Sequence, residues 1–131
     1  MARKSGLCHD GHVMSVLIVD DHPSFRSCAR ALLEAEGYRV VGEANDGASA
    51  LRAVEELEPD LVLLDVQLPD LDGFEVASRL TAGNGDGTAP AVVLTSSRDG
   101  ADFGSLVTRC GARGFVAKAE LTGAALAALT G

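Results

Sequence analysis

The sequence predicts an α/β fold with a mostly parallel five-stranded sheet and five helices. Short apolar runs of strand length alternate along the chain with segments in which apolar residues recur at helical spacing. Several of the runs are apolar without interruption, which is typical of parallel strands covered on both faces. A length of 131 residues and an apolar content of 47% suit one domain with one packed core.

The predicted elements follow one another in regular alternation. Five short runs are assigned to strands, at 16–19, 39–41, 61–64, 91–94 and 114–116. Helical spacing predicts the helices that follow them, at 23–36, 50–57, 74–80, 101–110 and 121–129. Pro23 suits a first helical turn, Gly37 suits a helix end, and Asp72 suits an N-cap.

The first 14 residues show no periodicity and are expected to form a flexible tail, followed by one folded domain over residues 15–131. The tail contains Cys8, His9, Asp10 and His12, which are metal-binding residue types. Chance clustering in a flexible tail is the simpler explanation, so we expect no metal site there.

The charge balance disfavours nucleic acid and anionic membranes as partners. The chain has 19 acidic and 11 basic side chains, a net charge of -8, and no basic cluster of the kind that contacts phosphates. Basic protein partners or a bound cation are compatible with this balance. No apolar run reaches the length of a signal-sequence core or a membrane span, so we expect a cytoplasmic protein.

The three cysteines, Cys8, Cys28 and Cys110, are odd in number, widely spaced and without a CxxC pair. This pattern argues against a disulfide framework and for a reducing compartment. We expect Cys28 and Cys110 to be small packing residues.

Polar residues follow four of the predicted strands at the point where each strand ends. Asp20 and Asp21 follow the first strand, Asp65 the third, Thr95 the fourth and Lys118 the fifth. Because the carboxyl ends of parallel strands share one edge of the sheet, where ligands bind in open α/β folds, we expect these side chains to meet.

The chemistry of this set favours phosphoryl transfer. Crowded carboxylates repel one another, and a divalent cation such as Mg²⁺ offsets that repulsion. A cation, an ammonium and a hydroxyl around one carboxylate can stabilise a transferred phosphoryl group, and the carboxylate can be the nucleophile. Each residue alone has a simpler explanation, as a helix cap, a turn, a strand end or a solvated lysine. Their common location at one sheet edge favours a site.

The polar residues of the site lie in longer segments of characteristic sequence, which are VLIVDDHP from Val16, PDLVLLDV from Pro59 with LPDLDG from Leu68, VVLTS from Val92 and GARGFVAK from Gly111. Together these segments resemble the receiver domains of bacterial two-component response regulators, over about residues 16–129. The His-Pro pair after the two aspartates resembles the subfamily fused to LuxR-type DNA-binding domains. The resemblance implies a flavodoxin-like, doubly wound sheet with strand order 2-1-3-4-5.

The same resemblance implies a role for each site residue. Asp65 is then the phosphoacceptor, Lys118 and Thr95 contact the phosphoryl group, and Thr95 and Phe115 form the switch pair. The implied ligands of Mg²⁺ are Asp20, Asp21, Asp65 and the backbone carbonyl of Gln67.

The implied function is a phosphorylation-activated signalling switch, which assists its own phosphorylation and dephosphorylation but is not otherwise an enzyme. Its implied partners are a histidine kinase or a phosphotransfer protein, and a second copy of the chain after phosphorylation. We expect a stand-alone receiver. The alternative is a receiver fragment of a larger LuxR-type DNA-binding transcriptional regulator.

Other classes fit less well. A phosphatase of the haloacid dehalogenase type needs an Asp-x-Asp motif, whereas Asp20 and Asp21 are adjacent. A dinucleotide or flavin binder would carry a Gly-rich turn after the first strand. The complete polar set argues against a degenerate receiver that only docks. Two features depart from the receiver pattern: Ala119 replaces the common Pro after Lys118, so a cis peptide bond is not expected, and the last helix is short.

Overall fold

The computed structural model describes residues 13–82, 89–97, 107 and 109–130. Five parallel strands form one sheet in the order β2-β1-β3-β4-β5, which confirms the predicted topology. The strands are β1 (Ser15–Val19), β2 (Arg39–Ala44), β3 (Leu61–Asp65), β4 (Ala91–Ser96) and β5 (Gly114–Ala117).

Four helices are described in full: α1 (Pro23–Ala35), α2 (Gly47–Leu57), α3 (Gly73–Ala82) and α4 (Gly123–Thr130). A short 3₁₀ turn, Lys118–Glu120, connects β5 to α4. Most of the predicted helix at 101–110 lies outside the described residues, although Val107 and Arg109 within it are helical. Residues 1–12 of the predicted tail, including its cysteine and histidines, also lie outside them.

The sheet is covered on both faces, as the uninterrupted apolar strands predicted. Leu17, Val62 and Leu94 point to the face covered by α2 and α3. Val16, Ile18 and their neighbours point to the other face, where they pack with α1 and α4. Because β3 is buried along its whole length, the residue at its end is held by the core of the domain.

Local signals place the helix ends. Pro23 is the first residue of α1, and Gly37 follows that helix with a φ of 96°, a conformation that glycine adopts without steric cost. The Asp46 carboxylate accepts a hydrogen bond of 2.8 Å from the Ser49 N–H and so caps α2. The expected cap of α3 is also present, since Asp72 Oδ1 accepts from the Phe74 N–H at 2.7 Å.

The expectation for the cysteines was half right. Cys110 is buried in the core, but Cys28 is exposed on α1. The helical periodicity explains the difference, because Ala29 and Leu33 define the buried face of α1 and Cys28 lies off it.

The final helix is short, as expected, and apolar around most of its circumference, with Leu126 fully buried. Every peptide bond in the described ranges is trans, including the one between Lys118 and Ala119. No helix within those ranges is long and apolar enough to cross a bilayer.

Candidate functional site

The carboxyl edge of the sheet brings together the polar residues that were predicted to meet. Asp20 follows β1 directly, Asp65 ends β3, and Lys118 follows β5. Asp65 is paired in register with Thr95 on β4, and Thr95 is paired in turn with Val116 on β5. The parallel register therefore places Asp20, Asp65, Thr95 and Lys118 side by side, at or just after the ends of β1, β3, β4 and β5.

Lys118 joins two of the carboxylates. Its Nζ lies 2.6 Å from Asp20 Oδ2 and 3.4 Å from Asp65 Oδ2. Both aspartates are almost fully buried, whereas the lysine side chain keeps 15% of its surface exposed. The Lys118 ammonium is not oriented to donate a hydrogen bond to Asp20 Oδ2. This oxygen therefore has no hydrogen-bond partner among the described residues. One ammonium thus faces two carboxylates, which leaves the site with excess negative charge.

Burial raises the pKa of the Asp65 carboxyl above its ordinary value, and the charge of Asp20 adds to this effect. The Gln67 N–H, which donates to Asp65 Oδ1 at 3.1 Å, and the ammonium of Lys118 act in the opposite direction without cancelling it. At neutral pH the ionised Asp65 is therefore held in an unfavourable environment.

We expect Asp65→Asn to raise the free energy of unfolding at pH 7.5, by of order 1 kcal/mol. A raised pKa in the folded state means that the favourable contribution of protonated Asp65 is present below its unfolded pKa and lost as the pH rises through its folded pKa. The difference in the free energy of unfolding between Asp65→Asn and the wild type should therefore become smaller as the pH falls from 7.5 to 4.5. Urea unfolding of both proteins across this range measures it, and a variant that is less stable at pH 7.5 would contradict the argument.

Thr95 contributes a hydroxyl that is buried and has no hydrogen-bond partner within the described ranges. A buried hydroxyl without a partner is costly, and a phosphoryl oxygen would supply the missing acceptor. Phe115 lies on the neighbouring strand, half-buried and paired with Leu94, next to the position that pairs with Thr95. The two residues of the predicted switch pair are therefore on adjacent strands, one step apart in register.

Sequence reasoning missed two contacts with this edge at the start of α1, one from the N-cap residue His22 and one from Phe25. His22 places its Nδ1 3.0 Å from Asp20 Oδ1 and 3.1 Å from Asp21 Oδ1. Phe25 lies under Lys118, with the ammonium 4.6 Å from the ring centre. The position of His22 beside the acidic pair was a signal that could have been used, whereas the contact of Phe25 with a residue 93 positions away had none.

Comparison with known proteins identifies the family. The family model described as the response regulator receiver domain matches residues 16–129. The chain is a response regulator receiver domain. It is 42% identical over 105 residues to a Pseudomonas aeruginosa protein named as a transcriptional regulator, a match that covers 80% of this chain and 49% of that protein.

Two further proteins place this receiver near transcriptional regulators. The DNA-binding transcriptional activator EvgA of Escherichia coli K12 is 33% identical over 107 residues, which cover 82% of this chain and 51% of EvgA. A LuxR-family response regulator from Aurantimonas has a similar structure, with a TM-score of 0.78, 33% identity, and coverage of 90% of this chain and 86% of that one. The receiver spans about half the length of these two curated relatives.

Asp70 connects the loop after β3 to the start of α2 through hydrogen bonds. Sequence reasoning also missed this residue. Asp70 Oδ1 accepts from the Gly47 N–H at 2.7 Å, and its Oδ2 accepts from the Ala48 N–H at 3.0 Å. These backbone donors, Gly47 first, lower the pKa of Asp70 below its ordinary value. The loop also closes on itself through a bridge between Gln67 and Asp72. The exposed Gln67, the predicted carbonyl ligand, is thus held near Asp65 by two independent attachments.

Proposed function

We propose that this receiver accepts a phosphoryl group on Asp65 from a histidine kinase or a phosphotransfer protein and so acts as a signalling switch. The observation that carries the proposal is the setting of Asp65, which lies beside Lys118 and is paired in register with a buried, unpartnered Thr95 hydroxyl. An ammonium and a hydroxyl donor next to a carboxylate are the groups that a transferred phosphoryl group needs around it.

The residues present also fit a resident Mg²⁺ ion. Carboxylate oxygens of Asp20, Asp21 and Asp65 lie within 4.8 Å of one another, and the buried Oδ2 of Asp20 lacks a hydrogen bond within the described structure. Hard oxygen donors of this kind are the ligands that Mg²⁺ prefers, and the Gln67 carbonyl would be a fourth. When bound, the ion would neutralise charge on the phosphoryl oxygens.

The transfer itself needs little covalent chemistry from the protein. A carboxylate oxygen of Asp65 forms a bond to phosphorus while the phosphorus–nitrogen bond of the donor phosphohistidine breaks, and the electron pair of that bond leaves with the imidazole. Lys118 stabilises the charge on the phosphoryl oxygens, and Thr95 donates its hydroxyl hydrogen to one of them. Burial of Asp65 keeps competing water away from the carboxylate before transfer.

Small phosphodonors test this proposal without knowledge of the kinase. After incubation with acetyl phosphate and Mg²⁺, intact mass measurement should show one added phosphoryl group on the full chain. The modification should be absent when Mg²⁺ is removed with a chelator. A protein that remains unmodified under conditions that phosphorylate another receiver would contradict the proposal.

We expect Asp21→Ala to weaken Mg²⁺ binding by about tenfold or more, an effect of the size seen when groups around a metal are changed. Asp21 is more exposed than Asp20, so its loss removes an oxygen ligand without opening the core. Isothermal titration with Mg²⁺ measures the affinity, and Asp46→Ala, which removes a carboxylate that is not a member of the acidic group, is the matched control. Unchanged affinity in Asp21→Ala would exclude this residue from the metal site.

The switch proposal gives a second test, on Thr95. A phosphoryl oxygen offers the Thr95 hydroxyl an acceptor, and movement of Thr95 towards it would free space for Phe115 to turn inward. A ligand shifts such an equilibrium only through contacts that differ between the two states. We expect Thr95→Ala to lose most of the NMR shift change around Phe115 that beryllofluoride, an acyl-phosphate mimic, causes in the wild type. The same shift change in the mutant would exclude this coupling.

The wider setting is proposed on the same basis. The named relatives are transcriptional regulators. This supports the alternative, in which the chain is the receiver of a larger LuxR-type DNA-binding regulator, over a stand-alone receiver. A net charge of -8 supports basic protein partners and no direct contact of this chain with nucleic acid or anionic membranes. Homodimerisation after phosphorylation is a further proposal, which the charge does not favour. We further propose a cytoplasmic location and a receiver domain over residues 15–131. Met14, just before this range, is already attached to β2, because its carbonyl accepts a hydrogen bond of 3.0 Å from the Arg39 N–H.

A further inference from the structure

His22 adds a nitrogen donor to the carboxylates of the proposed metal site, and the inference drawn from it rests on the proposed function. One ligand atom each of Asp20, Asp21, His22 and Asp65 lies within 4.8 Å of the other three. The Oδ2 of the buried Asp20 has no hydrogen-bond partner among the described residues, and the Lys118 ammonium lies 2.6 Å from it. The cluster therefore has a different donor set from one made of oxygen alone.

The distances around His22 fit metal ligation. Its Nδ1 is 3.0 Å from Asp20 Oδ1 and 3.1 Å from Asp21 Oδ1. Adjacent ligand atoms around an octahedral ion with bonds of about 2.1 Å are about 3.0 Å apart. The backbone N–H of His22 also donates to Asp20 Oδ1 at 2.8 Å, which holds the residue on this side of the carboxylate. Both distances from Nδ1 match those between neighbouring ligands of one ion. The 3.0 Å distance to Asp20 Oδ1 is also that of a hydrogen bond, which metal binding would replace.

We propose that His22 Nδ1 is a ligand for a divalent transition-metal ion, and that it shifts the selectivity of this site from Mg²⁺ towards Mn²⁺ and Co²⁺. Imidazole nitrogen suits transition metals, whereas Mg²⁺ prefers oxygen ligands and retained water. Lys118 contacts the Oδ2 of Asp20 and His22 contacts the Oδ1, so the ammonium and the imidazole face different oxygens of one carboxylate. The ion can therefore bind Asp20 Oδ1 while Lys118 stays in contact with Asp20 Oδ2.

Pulsed electron paramagnetic resonance of the Mn²⁺-loaded full chain at pH 8 tests the proposal directly. We expect nitrogen modulation from one directly bound imidazole, and its replacement by the ¹⁵N pattern when histidine is ¹⁵N-labelled. His22→Asn should lose this signal, and its affinity for Mn²⁺ and Co²⁺ should fall by about tenfold or more, while its affinity for Mg²⁺ changes less. The double variant His9→Asn and His12→Asn should keep the signal, which excludes the other two histidines of the chain.

Absence of nitrogen modulation in the Mn²⁺-loaded wild type would overturn the proposal, and this spectrum does not depend on how any variant folds. Persistence of the signal in His22→Asn would overturn it as well. Binding of beryllofluoride with Mg²⁺ at Asp65 separates the two levels of inference. If beryllofluoride binds and the nitrogen signal is absent, only the role of His22 is lost. If neither Mn²⁺ nor beryllofluoride with Mg²⁺ binds, the proposed function fails too.

Discussion

Asp65→Asn is expected to abolish phosphorylation by acetyl phosphate, because the amide offers no carboxylate oxygen to form the acyl phosphate. Two other carboxylates are close enough to be considered as acceptors. Asp20 is fully buried and contacts both His22 and Lys118. Asp21 is more exposed and pairs with His22, whereas the ion pairs of Lys118 within the described residues are with Asp20 and Asp65. Asp65 alone combines burial, contact with Lys118 and pairing with Thr95.

The measurement is intact mass before and after incubation with acetyl phosphate and Mg²⁺. Asp60→Asn is the matched control, because Asp60 precedes the same strand at the opposite edge of the sheet, where it accepts from the Ser15 N–H at 2.8 Å. Asp60→Asn should be modified like the wild type, and Asp65→Asn should gain no phosphoryl group. Modification of the Asp65→Asn protein to the wild-type level would remove Asp65 from its proposed role.

The fold and the location of the site could be predicted because both depend on patterns that are local in sequence. Each strand is a short apolar run, and the residue that ends it is adjacent in the chain, so a parallel arrangement alone places Asp20, Asp65 and Lys118 at one edge. Cap residues such as Asp46 and Asp72 were predictable for the same reason. The full length of β2 could not be predicted in this way, because its last residues are fixed by pairing with β1. The carbonyl of Ala44, where β2 ends, accepts a hydrogen bond from the Asp20 N–H.

The contacts that tune the site depend on tertiary geometry and left no comparable pattern. Asp70 is one of several aspartates in its sequence segment. Only the position of the loop beside α2 identifies it as the residue that accepts hydrogen bonds from the Gly47 and Ala48 N–H groups. The contact between Phe25 and Lys118 depends on how α1 crosses the sheet edge. The exposure of Cys28 could have been predicted from the helical period, because Cys28 does not lie on the buried face of α1. The prediction relied instead on the general preference of cysteine for the core.

Gly73→Ala is expected to destabilise the receiver strongly, because the first residue of α3 lies directly against the end of β3. A Cβ on residue 73 would clash with the backbone carbonyl oxygen of Asp65 and would lie 2.5 Å from Val66 Cα. The Gly73 N–H also donates to the Val66 carbonyl at 2.9 Å, so the helix cannot move away without losing that bond. Neither partner is a side chain that can rotate, and overpacking of this kind costs about 1–3 kcal/mol or more.

The same substitution should weaken phosphorylation in the molecules that remain folded, because relief of the clash must displace the backbone of the phosphoacceptor itself. Gly123→Ala is the matched control: the atoms nearest to its added Cβ belong to the flexible side chain of Glu36 and not to the backbone. Urea unfolding should place this control within about 1 kcal/mol of the wild type, since alanine also favours the helix. Equal stability of Gly73→Ala and Gly123→Ala would show that the contact between α3 and β3 can yield, and that the position of Asp65 does not depend on a glycine at the start of α3.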